Sequence, residues 1–329
     1  MVLGCSLFAV MMVYANKKII IVNDFENAEA ETAETLNTSS QNLKWLVKTD
    51  STSDKEGFYI PVNTHDFTVD TDFPNHSFSI SIPATRETYF TANKPYGNFD
   101  RVTQAEASFD GESVTYVFST DGVFSIEASY KDNTVFVLPD SIYEEDVVIA
   151  IDPGHGGVSA GNMAGEYSEK DIALKVAKAV EKKAAGKSYK VILTRGADRN
   201  PGTDVRIETC EVAGADYYVG IHVDADPEDT KKFGMYAVYN DEFFRNSLEN
   251  VDLADSILKN CAIATNNRAI GLNKADSSDV ILKVLSIPAI NLNVGYISNP
   301  SESELLGDAG YIDKIADGIL NTFDNIIAQ

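Results

Sequence analysis

The chain has 329 residues, of which 44% are hydrophobic, and this is enough to form cores in two domains of ordinary size. Its formal net charge of −23 excludes non-specific nucleic-acid binding, which needs a cationic surface, and argues against simple adhesion to anionic lipid. Three cysteines without a CxxC spacing give neither a disulfide framework nor a cysteine-based zinc motif. Cys210 and Cys261 are expected to be two buried thiols or, alternatively, one disulfide bond.

The N-terminus begins with an apolar run that ends at Ala15 and is followed by Lys17 and Lys18. The run has the length of a signal-peptide core, and its positive charges follow it instead of preceding it. We therefore predict that residues 1–22 are a membrane anchor or signal segment with a basic leader upstream, and that the rest of the chain is extracytoplasmic. Residues 23–57 are acidic and polar with few large apolar groups, which indicates a flexible linker.

Residues 58–140 show apolar and polar residues in alternation, as in HSFSISIP, ESVTYVFS and VFSIEASY. This period of two predicts half-buried antiparallel strands, and two Asp-Gly pairs mark tight turns between them. We predict a small all-β, sandwich-like domain. The segment contains no catalytic constellation, and its histidines, His65 and His76, have no partners at ligand spacing.

Residues 146–329 alternate between apolar strands and amphipathic helices. This order predicts an α/β layered domain with a mostly parallel sheet. Binding sites in such sheets collect at the carboxyl ends of the strands. His155 and His222 each follow an apolar run, so both are expected at that edge.

Two imidazoles and one carboxylate define the candidate site. His155 lies in a glycine-rich turn, Glu169 opens a helix, and His222 ends a strand. Each residue has an alternative role. His155 could be an ordinary loop histidine and His222 a structural histidine. Glu169, which follows the N-cap residue Ser168, could be an acidic residue that stabilises the first turn of the helix. Together they form the His₂Glu set of zinc hydrolases, which leaves one coordination position open. Asp152 is predicted to orient one of the ligand side chains, or the turn itself, without binding the metal.

The phrases IDPGHGG, SEKD, ILTR, IHVDA and VGYISNP occur in this order from about residue 147 to the C-terminus. This part of the chain resembles the catalytic domain of zinc-dependent N-acetylmuramoyl-L-alanine amidases, the amidase type 3 family. The resemblance implies a twisted sheet flanked by helices and a single Zn²⁺ held by His155, Glu169 and His222. It also implies cleavage, by zinc-activated water, of the amide between the muramoyl lactyl group and L-alanine of peptidoglycan. The β-rich segment is similar in position to the wall-targeting domains that accompany such amidases.

The sequence departs from the family at Asn293, where the resemblance places a catalytic glutamate that acts as general base and acid. Asparagine cannot transfer a proton near neutral pH. Three alternatives follow: another carboxylate replaces the glutamate, the enzyme is slow, or the domain is a non-catalytic peptidoglycan-binding or regulatory pseudoamidase. We predict a cell-envelope amidase with retained or reduced activity, either membrane-anchored or secreted. The carboxylates considered as replacements are Glu166, Asp224, Asp276, Glu302 and Glu304.

Overall fold

The computed structural model describes residues 18–21, 57–86, 89, 93, 95–98, 101–142, 146–241, 244–245 and 248–328. The predicted linker, except for Gly57, and most of the predicted N-terminal segment therefore lie outside the described residues, as does Cys5. Residues 18–21 of that segment form a strand. In the described part of the chain, no helix is both long enough and apolar enough to cross a membrane.

The N-terminal half of the described chain forms two antiparallel sheets. One sheet has the strand order β1-β6-β7-β4-β3, with β3 at an edge, and the other has the order β5-β2-β9-β8. The strands are β1 (Lys18–Ile21), β2 (Gly57–Pro61), β3 (Thr68–Asp72), β4 (Ser77–Pro83), β5 (Tyr96–Asn98), β6 (Val102–Phe109), β7 (Ser113–Thr120), β8 (Phe124–Lys131) and β9 (Thr134–Ser141).

The alternating side chains of these strands form one apolar core between the two sheets. Phe78, Ile80 and Ile82 of β4 are buried while the serines between them are more exposed. Phe58 of β2 lies against Phe118 of β7, with ring centroids 4.7 Å apart. A core shared by two sheets is the packing that a sandwich-like arrangement requires. We call the β2–β9 region the β module; its extent as a separate domain remains a prediction.

The C-terminal half is built on a six-stranded mixed sheet of order β13-β10-β14-β19-β15-β18. All neighbouring strands are parallel except β15 and β19, which are antiparallel. The predicted α/β architecture with a mostly parallel sheet is thus confirmed, with one antiparallel pair in it. The six strands are β10 (Val148–Pro153), β13 (Lys190–Leu193), β14 (Tyr217–Asp224), β15 (Met235–Tyr239), β18 (Ala269–Lys274) and β19 (Ala289–Tyr296). Two small hairpins complete the strands: β11 (Met163–Ala164) with β12 (Tyr167–Ser168), and β16 (Phe244–Arg245) with β17 (Leu248–Glu249).

Helices cover both faces of this sheet. Helices α1, α3 and α6 share one apolar core with the sheet, and α2 and α4 share another on the opposite face. Cys261 belongs to the first core and Cys210 to the second, and both are free thiols, so the alternative of a disulfide between them is wrong. The helices are α1 (Glu169–Ala184), α2 (Thr203–Val212), α3 (Asn250–Thr265), α4 (Val280–Val284), α5 (Pro300–Gly307) and α6 (Ala309–Ile327).

The start of α1 is fixed by a local cap. Ser168 is extended, and its side chain accepts a hydrogen bond from the Asp171 backbone N–H, as the sequence predicts. Ile172, Val176 and Val180 follow on the buried face of the helix. Glu169, at the first helical position, is therefore free of the capping role and turns toward the sheet.

Candidate metal centre

Three of the predicted residues meet at the carboxyl ends of β10 and β14, which are adjacent parallel strands. Glu169 Oε2 lies 3.3 Å from His155 Nε2, and Glu169 Oε1 lies 3.0 Å from His222 Nδ1. One ligand atom from each side chain lies within 4.8 Å of the other two. Residues separated by up to 67 positions therefore share one small volume (155 to 222).

The Glu169 carboxylate is ionised although only 2% of the residue is exposed. Burial raises its pKa, but hydrogen bonds with the two imidazoles and with a backbone amide outweigh burial and hold the pKa well below its usual range. The backbone N–H groups of Asn162 and Val223 donate to its two oxygens at 2.9 and 3.1 Å. The carboxylate is thus held in place from both sides.

Glycines at two positions allow this close approach. A Cβ on Gly154 would lie 2.6 Å from Cε1 of His222, and a Cβ on Gly161 would lie 2.5 Å from Oε2 of Glu169. Either side chain would occupy the space in which His155, Glu169 and His222 meet. The IDPGHGG phrase is therefore needed for its small residues as much as for its histidine.

Two arginines that the sequence pattern does not link to the site hold the turn around His155 in place. Arg195, which is fully buried, donates to the carbonyl oxygens of Pro153 and Gly154, both at 2.9 Å. Arg206 donates to the carbonyl of His155 at 2.8 Å. Arg195 ends the ILTR phrase that carried the resemblance, but nothing in the local pattern around either arginine shows that its guanidinium group binds this turn.

Asp152 lies behind the turn and is buried at 2% exposure. Its carboxylate pairs with Arg206 and accepts hydrogen bonds from the hydroxyl groups of Thr194 and Tyr218. Burial raises the pKa of Asp152, but Arg206 and the two hydroxyl groups outweigh burial and lower it. The structure therefore connects Asp152 to His155 through Arg206.

Comparisons with known proteins assign the family. The family model described as Amidase_3, N-acetylmuramoyl-L-alanine amidase, matches residues 149–325, which is more than half of the chain. The chain belongs to this family. The predicted function as a peptidoglycan amidase is thereby confirmed, and the comparisons do not favour the pseudoamidase alternative.

The relatives of this amidase match its α/β half. The germination-specific N-acetylmuramoyl-L-alanine amidase of Bacillus subtilis is 29% identical over 186 residues, which cover 52% of this chain and 76% of the relative. The catalytic domain of the amidase CwlV from Bacillus (Paenibacillus) polymyxa var. colistinus is 25% identical with a TM-score of 0.50, covering 55% of this chain and 98% of that one. An amidase from Clostridium difficile 630 shares the fold at a TM-score of 0.52 and 24% identity, covering 56% and 98% of the two chains.

Asn293 of the amidase lies on β19, directly beside the strand that carries His222. It pairs in register with His222 of β14 on one side and with Tyr236 of β15 on the other. The residue is 8% exposed. Asn291 lies two positions earlier on the same face, and its Oδ1 is buried without a hydrogen-bond partner among the described residues. The wall of the site beside His222 is therefore polar and neutral at these two positions.

Of the five carboxylates considered as replacements, Asp224 is the one on this face of the sheet next to His222. It lies two residues after His222 in β14, and its Oδ2 accepts a hydrogen bond from the Tyr236 hydroxyl at 2.8 Å. Burial and this hydrogen bond raise the pKa of Tyr236 above its usual range, so the hydroxyl keeps its proton. Asp224 and Tyr236 thus form a fixed pair next to Asn293.

The other four carboxylates have different surroundings. Glu302 is buried and accepts hydrogen bonds from the backbone N–H groups of Gly234 and Tyr296. Asp276 binds the backbone and side chain of Ser278 in an exposed turn. The remaining two, Glu166 and Glu304, line a separate surface cavity.

Proposed function

We propose that this amidase is zinc-dependent and that His155, Glu169 and His222 hold the metal. The observation that supports this proposal is the convergence of two imidazoles and one ionised, buried carboxylate within 4.8 Å. Nitrogen and oxygen donors in this number suit Zn²⁺, and three protein ligands leave the open position that a catalytic zinc site requires.

Neighbouring groups orient the ligand atoms. The Nδ1 atom of His155 lies 2.9 Å from Oγ of Ser159, which leaves Nε2 directed toward Glu169. Such partners fix the tautomer and the ring orientation of a ligating histidine. When bound, zinc supplies a Lewis acid that polarises the scissile carbonyl and lowers the pKa of a water molecule.

We propose that Asn293 orients the substrate or the attacking water through hydrogen bonds and transfers no proton. Its carboxamide has both donors and an acceptor, but it has no proton to exchange near neutral pH. Loss of general acid–base catalysis typically lowers a rate by about 10²–10⁴-fold. We therefore expect a slow amidase, in which Asp224 is the carboxylate best placed to recover part of the lost rate.

The proposal is tested by digesting purified peptidoglycan with the zinc-loaded protein and measuring new L-alanine amino ends. His155→Ala should abolish both stoichiometric zinc binding and product release. His65→Ala is the matched control, because this side chain is 80% exposed in the β module. Zinc binding without product above the His155→Ala background would favour the pseudoamidase. Undiminished zinc binding by His155→Ala would refute the ligand assignment.

Asn293→Glu tests the proton-transfer argument. If the pocket is otherwise competent, the added carboxylate should raise kcat, by up to about 10²-fold, with a smaller effect on KM. Asn291→Asp is the control, because it adds a carboxylate to the same face of β19 but two residues earlier in the strand. An unchanged kcat in Asn293→Glu would show that the neutral residue at this position does not limit the reaction.

We further propose that the protein acts outside the cytoplasm, at the cell envelope, because its proposed substrate is peptidoglycan. The N-terminal segment would supply membrane attachment, and the β module would contact the cell wall. The acidic surface and an anionic polymer repel each other, so recognition would depend on hydrogen bonds and shape at short range.

A further inference from the structure

The β module contacts the amidase half through the edge strand β3, at a loop that we call the supporting loop (residues 194–200). Asp70 of β3 accepts a hydrogen bond from the Gly196 backbone N–H at 2.5 Å and forms an ion pair with Arg199. Arg199 also donates to the Thr71 carbonyl at 2.9 Å. The approach is close: a Cβ on Gly196 would lie 2.5 Å from the Val69 carbonyl oxygen. Strand β3 and the supporting loop are therefore fitted to each other.

The supporting loop in turn packs against the glycine turn that follows His155. Asp198 accepts a hydrogen bond from the Gly157 backbone N–H at 2.7 Å and pairs with Lys170 at 2.6 Å. Lys170 also donates to the Gly157 carbonyl at 3.0 Å. The Arg199 carbonyl oxygen lies 2.0 Å from where a Cβ on Gly156 would be. The loop thus holds both glycines of the turn by direct contact.

The turn needs such support because His155 has a φ of 59°. This left-handed conformation is unfavourable for a residue with a side chain, and it persists only where the surroundings enforce it. It is followed by Gly156 and Gly157 at φ values of 131° and 52°. Relaxation of this turn would move the imidazole away from Glu169.

We infer that Asp70 is a positioning residue for the metal centre: through the supporting loop, the β module holds His155 in its ligand conformation. The inference rests on the proposed zinc site. It assigns to the β module a role beyond wall contact, because Asp70 lies outside the family match at residues 149–325. The amidase half of this chain is therefore completed by a residue of the module that precedes it.

The test compares zinc affinity and Co²⁺ spectra of full-length variants. Asp70→Asn keeps the shape of the side chain but removes the charge that pairs with Arg199. Asp140→Asn is the matched control, because Asp140 is also a module carboxylate that pairs with an amidase-half cation, Lys190, away from the supporting loop. Zinc dissociation constants are measured by competition with a chromophoric chelator, and the coordination geometry is read from the visible bands of the Co²⁺-substituted protein.

We expect Asp70→Asn to weaken zinc binding about 10-fold, within the 10–100-fold range for groups that orient metal ligands, and to alter the Co²⁺ bands. Asp140→Asn should match the wild type in both measurements. Gly196→Ala is a second variant that separates β3 from the supporting loop while Asp70 is intact, and it should resemble Asp70→Asn. Should Asp70→Asn fail to fold, Gly196→Ala decides the outcome.

Wild-type zinc affinity and Co²⁺ bands in Asp70→Asn and Gly196→Ala would overturn the inference. Equal weakening in Asp70→Asn and Asp140→Asn would also overturn it, because the effect would then come from general loosening of the module. Failure of the proposed function gives a different result: the wild type itself would bind no zinc, or His155→Ala would bind it normally.

Discussion

Replacing Gly154 with alanine should damage the proposed metal centre without adding charge or removing any of its three proposed ligands. The new Cβ would lie 2.6 Å from His222 Cε1, 2.7 Å from His222 Nδ1 and 2.9 Å from the Ile221 carbonyl oxygen. Ordinary contacts begin at 3.4 Å, so the imidazole has to retreat by about 0.8 Å, the difference between 3.4 and 2.6 Å. Metal sites tolerate deviations of only about 0.2 Å in ligand distance.

We expect Gly154→Ala to lower the free energy of unfolding of the metal-free protein by about 1–3 kcal/mol, the usual cost of overpacking. Zinc affinity should fall by about 10–100-fold, which corresponds to about 1.4–2.7 kcal/mol. Thermal unfolding with and without zinc measures both effects, because ligand stabilisation follows the logarithm of concentration over Kd.

Gly202→Ala is the matched control for this substitution. Gly202 lines the same cavity as His155 and His222, but a Cβ there would have no heavy atom of a described residue within 4 Å. Its φ of −63° suits alanine, so the expected cost is below about 1 kcal/mol, from a weaker helix N-cap. Equal zinc affinity in Gly154→Ala and Gly202→Ala would refute the argument that space at residue 154 sets the position of His222.

Two further substitutions test other parts of the structure. Burial raises the pKa of Glu181 from 4.5 to about 7, so ionisation of this half-buried carboxyl destabilises the folded state progressively as pH rises through that interval. In urea unfolding, the stability advantage of Glu181→Gln over the wild type should therefore increase by about 1–2 kcal/mol between pH 5.5 and pH 8. A stability difference that stays constant with pH would contradict the raised pKa. Gly318→Ala would place a Cβ 2.5 Å from the Cys261 Cα, where helix α6 contacts helix α3. Because the backbone of α3 cannot move away easily, the free energy of unfolding should fall by about 1–3 kcal/mol. Wild-type stability in this variant would show that the two helices are not this close.

The elements that sequence reasoning identified are those with a strong local pattern. Alternation in HSFSISIP predicts β4, and the Ser168 cap with its following apolar face predicts α1, and both are present. The short helices α4 and α5 have no comparably long periodic pattern, so the sequence pattern does not predict them. Residues 1–22 and 23–57 lie mostly outside the described chain, so their predicted roles are still predictions.

The sequence by itself determined which residue types were available for metal binding and where the strongly patterned strands and helices run, because alternation, caps and glycine turns act over a few neighbouring residues. Only the tertiary structure decided that β10 and β14 are adjacent, which brings His155 and His222 to the same carboxylate. It also decided which arginine binds which carbonyl and that Asp70 of the β module reaches the supporting loop. These contacts join segments tens of residues apart, and their partners are selected by packing and hydrogen-bond geometry that no local pattern encodes.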